Sequence, residues 1–339
     1  MTDGPRGRTL PRVPVRRATV LVVALALLVV VAVVSIGVGA HAVALGEVVR
    51  ALVDGPGGSS DRTIVLDIRV PRALLAVGVG AALAVAGAMI QTLSRNPLAE
   101  PGLLGITAGA GFAITAGSAL GVAVSQAGQL VTAVIGSVLA ALVVYSVGRR
   151  SPLRLVLTGV ALSAVLTGVS LGMRLMFPDV FDQYRFWSVG SLAGREQAPV
   201  LLPMVAIGLA LVGALLLSRW LNAIELGDAV AHTLGANVAR VRLAALVLIT
   251  VLAGAATAVA GPILFVGLIV PHLARRLAPG SVPWQLAYAL VLGPVLLLVS
   301  DIGSRVLLPT GEVPVAIVTA FVGGPVLIWA VRRYGAASL

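Results

Sequence analysis

The stretch PGLLGITAGAGFAITAGSALGVAVSQAGQLVTAVIGSVLAALVVYSVG, from Pro101 to Gly148, contains no charged residue. As one α-helix it would make a rod of about 72 Å, against a hydrocarbon core of about 30 Å. It must therefore hold two membrane crossings. Their turn is expected at Gly121 to Gln129, where Ser125, Gln126 and Gln129 supply polarity. Lipid offers no partner to the backbone, so each crossing satisfies its own hydrogen bonds as a helix. The fold class follows as all-α and polytopic.

Outward from this stretch, further charge-free windows run 18–40, 73–94, 155–173, 197–218, 243–274, 277–300 and 313–331. The hydrophobic fraction is 59% and charged residues are 11%, well away from the composition of a soluble domain. The 243–274 window, about 48 Å as a helix, is too long for one upright span. A break is expected near Gly261-Pro262, since proline lacks a backbone donor. Arg6, Arg8, Arg12, Arg16 and Arg17 place the N-terminus inside, and Arg332 and Arg333 place the C-terminus there. Both ends inside require an even number of spans, and ten fits. The chain divides into a cytoplasmic tail at 1–17 and a single transmembrane domain at 18–335, with a cytoplasmic loop at 219–242. Ala40-His41-Ala42 resembles a signal-cleavage site, but the preceding apolar core exceeds a signal's usual length and nine spans follow.

Composition also excludes chemistries. Cysteine is absent and the three histidines, His41, His232 and His272, are scattered, so no metal site and no cofactor are expected. All 24 basic residues are arginine, and the net charge of +11 reads as membrane topology rather than nucleic-acid binding. Without lysine there is no Walker A loop, so the chain cannot bind ATP through one. Proton-coupled secondary transporters carry ionisable residues at mid-membrane, and the window centres here hold none. An energy source on another chain is the simpler inference. An internal echo, Gly80-Ala81-Ala82-x-Ala84-Val85-Ala86-Gly87 against Gly254-Ala255-Ala256-x-Ala258-Val259-Ala260-Gly261, fits either a transporter repeat or small-residue helix packing.

Motifs occur in order along the chain. They are Arg69-Val70-Pro71-Arg72, Gly80-Ala81-x-Leu83-Ala84-x-x-Gly87, and Arg95-Asn96-Pro97-Leu98-Ala99-x-Pro101-x-Leu103-Leu104-Gly105-x-x-x-Gly109. Then come Trp187-Ser188-x-Gly190-Ser191-Leu192, Ala231-x-x-Leu234-Gly235, Phe265-Val266-Gly267-Leu268-x-x-Pro271-His272, Asp301-x-x-x-Arg305 and Glu312-x-Pro314. Together they closely resemble the FecCD-type permeases of iron-siderophore, haem and cobalamin ABC importers, over about residues 18 to 335. Ala316, Gly280-Ser281-Val282-Pro283 and Pro294 depart from that pattern.

The resemblance implies a non-catalytic permease in the bacterial inner or plasma membrane, most simply for an iron(III)-siderophore, with cobalamin or haem as alternative cargo. It implies three partners: a second permease chain, identical or paralogous, cytoplasmic ABC ATPase subunits, and an extracytoplasmic substrate-binding protein. By the family's pattern the ATPase would meet Leu226, Gly227, Ala231, Leu234 and Gly235. The binding protein's carboxylates would meet Arg69, Arg72 and Arg305, for which the rival reading is lipid phosphate or intramolecular pairing, Arg305 with Asp301 at i, i+4 being the obvious candidate. Asn96 and Pro97 are expected to end the second span. Gly105 and Gly109 are expected either to admit close packing, the favoured reading, or to widen a translocation path at the dimer axis, and Gly261, Pro262 and Pro271 to interrupt the late spans. His272, beside Pro271, reads as a local hydrogen bonder rather than an iron ligand.

Overall fold

The computed structural model describes residues 13–39, 43, 45–54, 60–148, 151–195, 198–308 and 311–334. The 1–12 tail, Ala40-His41-Ala42, Arg149 and Arg150 lie outside them. In chain order the helices are α1 (Val13–Gly37), α2 (Leu45–Asp54), α3 (Ser60–Thr63), α4 (Val70–Ser94), α5 (Ile106–Ala119), α6 (Gln126–Gly148) and α7 (Pro152–Met176). They continue with α8 (Pro178–Ser188), α9 (Leu201–Glu225), α10 (Asp228–Thr233), α11 (Val238–Ala260), α12 (Val266–Leu277), α13 (Val282–Val306) and α14 (Val315–Tyr334). Among the described residues there is no strand. Among the described residues seven helices are long and apolar enough to cross a membrane, while α5, α12 and α14 are shorter. The expected ten spans thus appear as seven full-length and three short helices. The turn dividing the 101–148 window falls at residues 120–125, and α6 takes up Gln126 to Gln129.

Helix α4 is the hub. Alanine and glycine on its faces let neighbours approach to backbone contact, which in a membrane replaces the hydrophobic drive available in water. A Cβ on Gly80 would stand 2.7 Å from the carbonyl oxygen of Gly293 in α13, and one on Gly87 would collide with the carbonyl of Gly267 in α12. The α5–α6 hairpin uses the same device, with Gly109 and Gly136 each seated on the other's carbonyl. The two echo segments run along α4 and α11, which pack on each other. In contrast α1, α7 and α9 leave most of their apolar surface outside the chain's own core.

Two segments re-enter the bundle between these helices. Helix α4 stops at Ser94 on the left-handed cap Arg95 (φ 52), just ahead of Asn96-Pro97, and the Asn96 side-chain oxygen accepts from the Leu98 backbone N–H at 3.0 Å. The chain then runs back through a 3₁₀ turn at Pro101–Leu104 to Gly105 (φ 75), which opens α5. The second break falls where expected: α11 stops at Ala260, Gly261 adopts φ 75, and α12 starts after Phe265, itself at φ 70. A Cβ on Gly267 would touch both Leu83 in α4 and the Pro101 ring. Leu83 lies about 16 Å from the α4 terminus at Ser94, so both breaks sit inside the bundle and not at its end.

Candidate functional site

Three clusters bring the motif residues together. The first is the break. Trp187, fully buried in α8, donates its indole N–H to the Thr257 carbonyl at 3.2 Å, while its own carbonyl occupies the space a Cβ on Gly261 would need. Gly190 (φ 66) lies against the Pro262 carbonyl in the same way and accepts from the Ala316 N–H at 3.1 Å. The Trp187-x-x-Gly190 motif is therefore a saddle for the Gly261-Pro262 break. From the other side, the Gln91 amide donates to the carbonyls of Gly267 (3.3 Å) and Leu268 (3.4 Å) and accepts from Arg275 at 3.2 Å.

The charge-free windows conceal one participant. Glu100, half-buried on the first re-entrant segment, lies beside the backbone N–H of Phe265 at the second break. A carboxylate thus stands at the break although every window centre is uncharged. Pro271 does not interrupt a span as expected: it lies within the continuous α12, the break falling ahead of that helix at 261–265, and is next to His272, whose Nε2 is buried without a hydrogen-bond partner among the described residues. Its expected local hydrogen bond is absent at that atom. No group of three or more His, Cys, Asp or Glu side chains with metal-binding geometry occurs among the described residues.

The second cluster is ionic. Asp301, fully buried in α13, accepts from Arg72 Nε at 2.9 Å and is ion-paired with Arg72 Nη2 at 2.8 Å and with Arg305 Nη2 at 3.0 Å, while Arg305 Nε donates to the Asp301 backbone carbonyl at 3.2 Å. Arg72 also reaches Glu312 at 2.8 Å. Arg305 donates to the Ser35 and Val38 carbonyls and to Ser35 Oγ, and Arg69 donates to those of Ile36 and Gly37 at 2.8 Å. Arg69, Arg72 and Arg305, the residues assigned to an external partner, are thus all buried and engaged within the chain. The reason is the C-terminus of α1, whose last carbonyls lack helical partners and attract cations. The Arg305–Asp301 pair at i, i+4 is formed, with Arg72 added from α4.

The third cluster is the 219–242 loop. Gly227 (φ 116) and Gly235 (φ 82) bracket the six-residue α10, and both take conformations that favour glycine. Ala231 is fully buried, whereas Leu226 (64% exposed), Val230 (41%) and Leu234 (59%) face outward. This is a short apolar ridge on two hinges. Asp228 accepts from Arg242 at 2.9 Å and from Arg95 at 2.9 Å, and Arg95 also donates to the Ile224 carbonyl. Behind α10 lies a cavity of about 730 Å³, walled by Ile90, Leu93, Leu155 and Leu246, with Asp228 and Arg242 on its lining.

The model of the FecCD transport family matches residues 27–333. The ferric enterobactin transport system permease protein FepD of Escherichia coli K12 is 49% identical over 291 residues, covering 84% of this chain and 87% of its own length. The hemin transport system permease protein HmuU of Yersinia pestis is 40% identical, covering 79% and 83%. The Fe(3+) dicitrate permease protein FecC of E. coli K12 is 37% identical, covering 85% and 89%. Among solved structures, an inward-facing metal-chelate-type ABC transporter superposes with a TM-score of 0.81 at 28% identity, over 94% of this chain and 99% of that one. A family match over nearly the whole chain, relatives aligned over most of their lengths and a matching fold agree, and the chain belongs to the FecCD transport family.

Proposed function

We propose that this chain is the membrane permease of an ABC importer that takes up an iron(III)-siderophore, with ATP hydrolysed by separate cytoplasmic subunits. The observation that carries the reading is α10, an exposed apolar ridge between two glycine hinges, in a chain 49% identical to a ferric enterobactin permease. An amphipathic segment of this kind seats in a groove of a partner protein. Leu226, Val230 and Leu234 provide its contact side and Ala231 its anchor, while Gly227 and Gly235 allow it to swing.

A second permease chain would cover apolar surface on α7 and α14, and an extracytoplasmic binding protein would deliver the chelate. Since Arg69, Arg72 and Arg305 are engaged internally, we assign them to holding the outer ends of α1, α4 and α13 as a platform for that protein. Both termini face the cytoplasm in this reading. Haem is the second cargo to test, on the strength of the 40% identity to a hemin permease.

The deciding experiment is uptake by vesicles holding the chain with its ATPase and binding protein. Uptake should require ATP and persist when the proton gradient is collapsed. Uptake abolished by an uncoupler while ATP remains would instead establish a proton-coupled secondary transporter. Competition between ferric enterobactin and haem ranks the cargo.

A further inference from the structure

Asp228 sits at the first position of α10 and grips two different helices. Its Oδ1 receives Arg95 Nη2, from the cap of α4, at 2.9 Å. Both of its oxygens receive Arg242 Nη2, from α11, at 3.0 and 2.9 Å. The left-handed turn at Arg95 aims that side chain toward α9 and α10, where it also meets the Ile224 carbonyl. These ion pairs are a third to a half exposed, so they add little to the stability of the fold. Little else holds α10 in place: Ala231 is its one buried residue, glycine hinges flank it, and a cavity lies behind it.

The two helices gripped by Asp228 are also the two that control the interior break. Helix α11 ends at that break, and α4 holds its far side through Gln91, one turn before Arg95. We infer that Asp228 is a positioning residue that transmits movement of α10 through Arg95 and Arg242 to the 261–265 break, with the cavity as the space into which α10 moves. Displacing α10 shifts one carboxylate, and that carboxylate pulls on both sides of the break together. The inference rests on the ATPase docking proposed above, and it assigns Asp228 a role separate from docking itself.

The test uses the complete transporter in lipid vesicles, with ferric enterobactin as the transport probe and Asp228→Asn, Asp228→Glu and the exchange Asp228→Arg with Arg242→Asp as variants. Three quantities are read: chelate imported per ATP hydrolysed, affinity of the permease for the ATPase, and hydrogen exchange at 261–265 with and without ATP. Asp228→Asn is expected to lower import per ATP by about threefold or more and to remove the ATP-dependent change in exchange, while ATPase affinity stays as in the wild type. Asp228→Glu should retain both responses, and the exchange should restore part of the loss. An Asp228→Asn transporter with wild-type stoichiometry and exchange overturns the inference, as does one whose import falls only in step with ATPase affinity. A wild-type transporter that imports nothing with ATP defeats the cargo and energy reading instead, and the exchange measurement still decides the role of Asp228.

Discussion

Replacing Asp301 by Asn changes one atom's identity at the meeting point of α4, α13 and α1. Asp301 is fully buried and is the shared counter-charge of Arg72 and Arg305, which are themselves 5% and 6% exposed. With its charge removed, Arg72 and Arg305 are left with Glu312 as the nearby carboxylate, whose side chain is 37% exposed. Removing one partner of a buried ion pair costs about 3–5 kcal/mol, because the remaining charge stays desolvated. Against a total stability of about 5–15 kcal/mol this is a large fraction. Asn keeps the shape and an acceptor oxygen, so the loss measures charge rather than a cavity. The assay is thermal unfolding of detergent-solubilised permease at one fixed scan rate, followed by tryptophan fluorescence, because unfolding of such proteins is often irreversible. The apparent midpoint should fall by about 5 °C or more. Glu312→Gln should cost less than half as much, since water already shares that carboxylate. An Asp301→Asn midpoint within about 1 °C of the wild type would refute the idea that this cluster depends on its central charge.

Gly87→Val places a branched side chain against the Gly267 carbonyl and should destabilise the fold by about 2 kcal/mol or more, visible as a lower melting point in the same assay. Trp187→Phe removes the indole donor to Thr257 and should cost about 1 kcal/mol, with faster hydrogen exchange at 261–265 as its local signature. Leu234→Asp puts a charge on the exposed ridge of α10 and should weaken ATPase binding about tenfold in a pull-down titration, leaving the melting point unchanged.

Features written in contiguous residues were legible before the structure. A charge-free run must be divided into lengths the bilayer accepts, so the windows yielded ten helices, the 101–148 hairpin and the break at Gly261-Pro262. Features that depend on distant partners were hidden. Glu100 lies beside the backbone N–H of Phe265, far along the chain. Arg72 meets Asp301 across 229 positions, so an internal pairing could be named for it as a rival reading, but its partner could not. Asp228 looked like one acid in a polar loop until Arg95 and Arg242 were placed on either side of it. The Trp187-x-x-Gly190 motif was visible, but its work as a saddle needed the third dimension.

The backbone-to-backbone contacts of α4 set where the chain can tolerate change. A helix whose neighbours rest on its carbonyls has no room for a larger residue at Gly80 or Gly87. Diversity must accumulate elsewhere, and α7 has the space: Gly168 and Gly172 face nothing within 4 Å in this chain. Larger side chains on α7 meet no neighbour at Gly168 or Gly172 within this chain, whereas at Gly80 and Gly87 of the central helix they meet backbone.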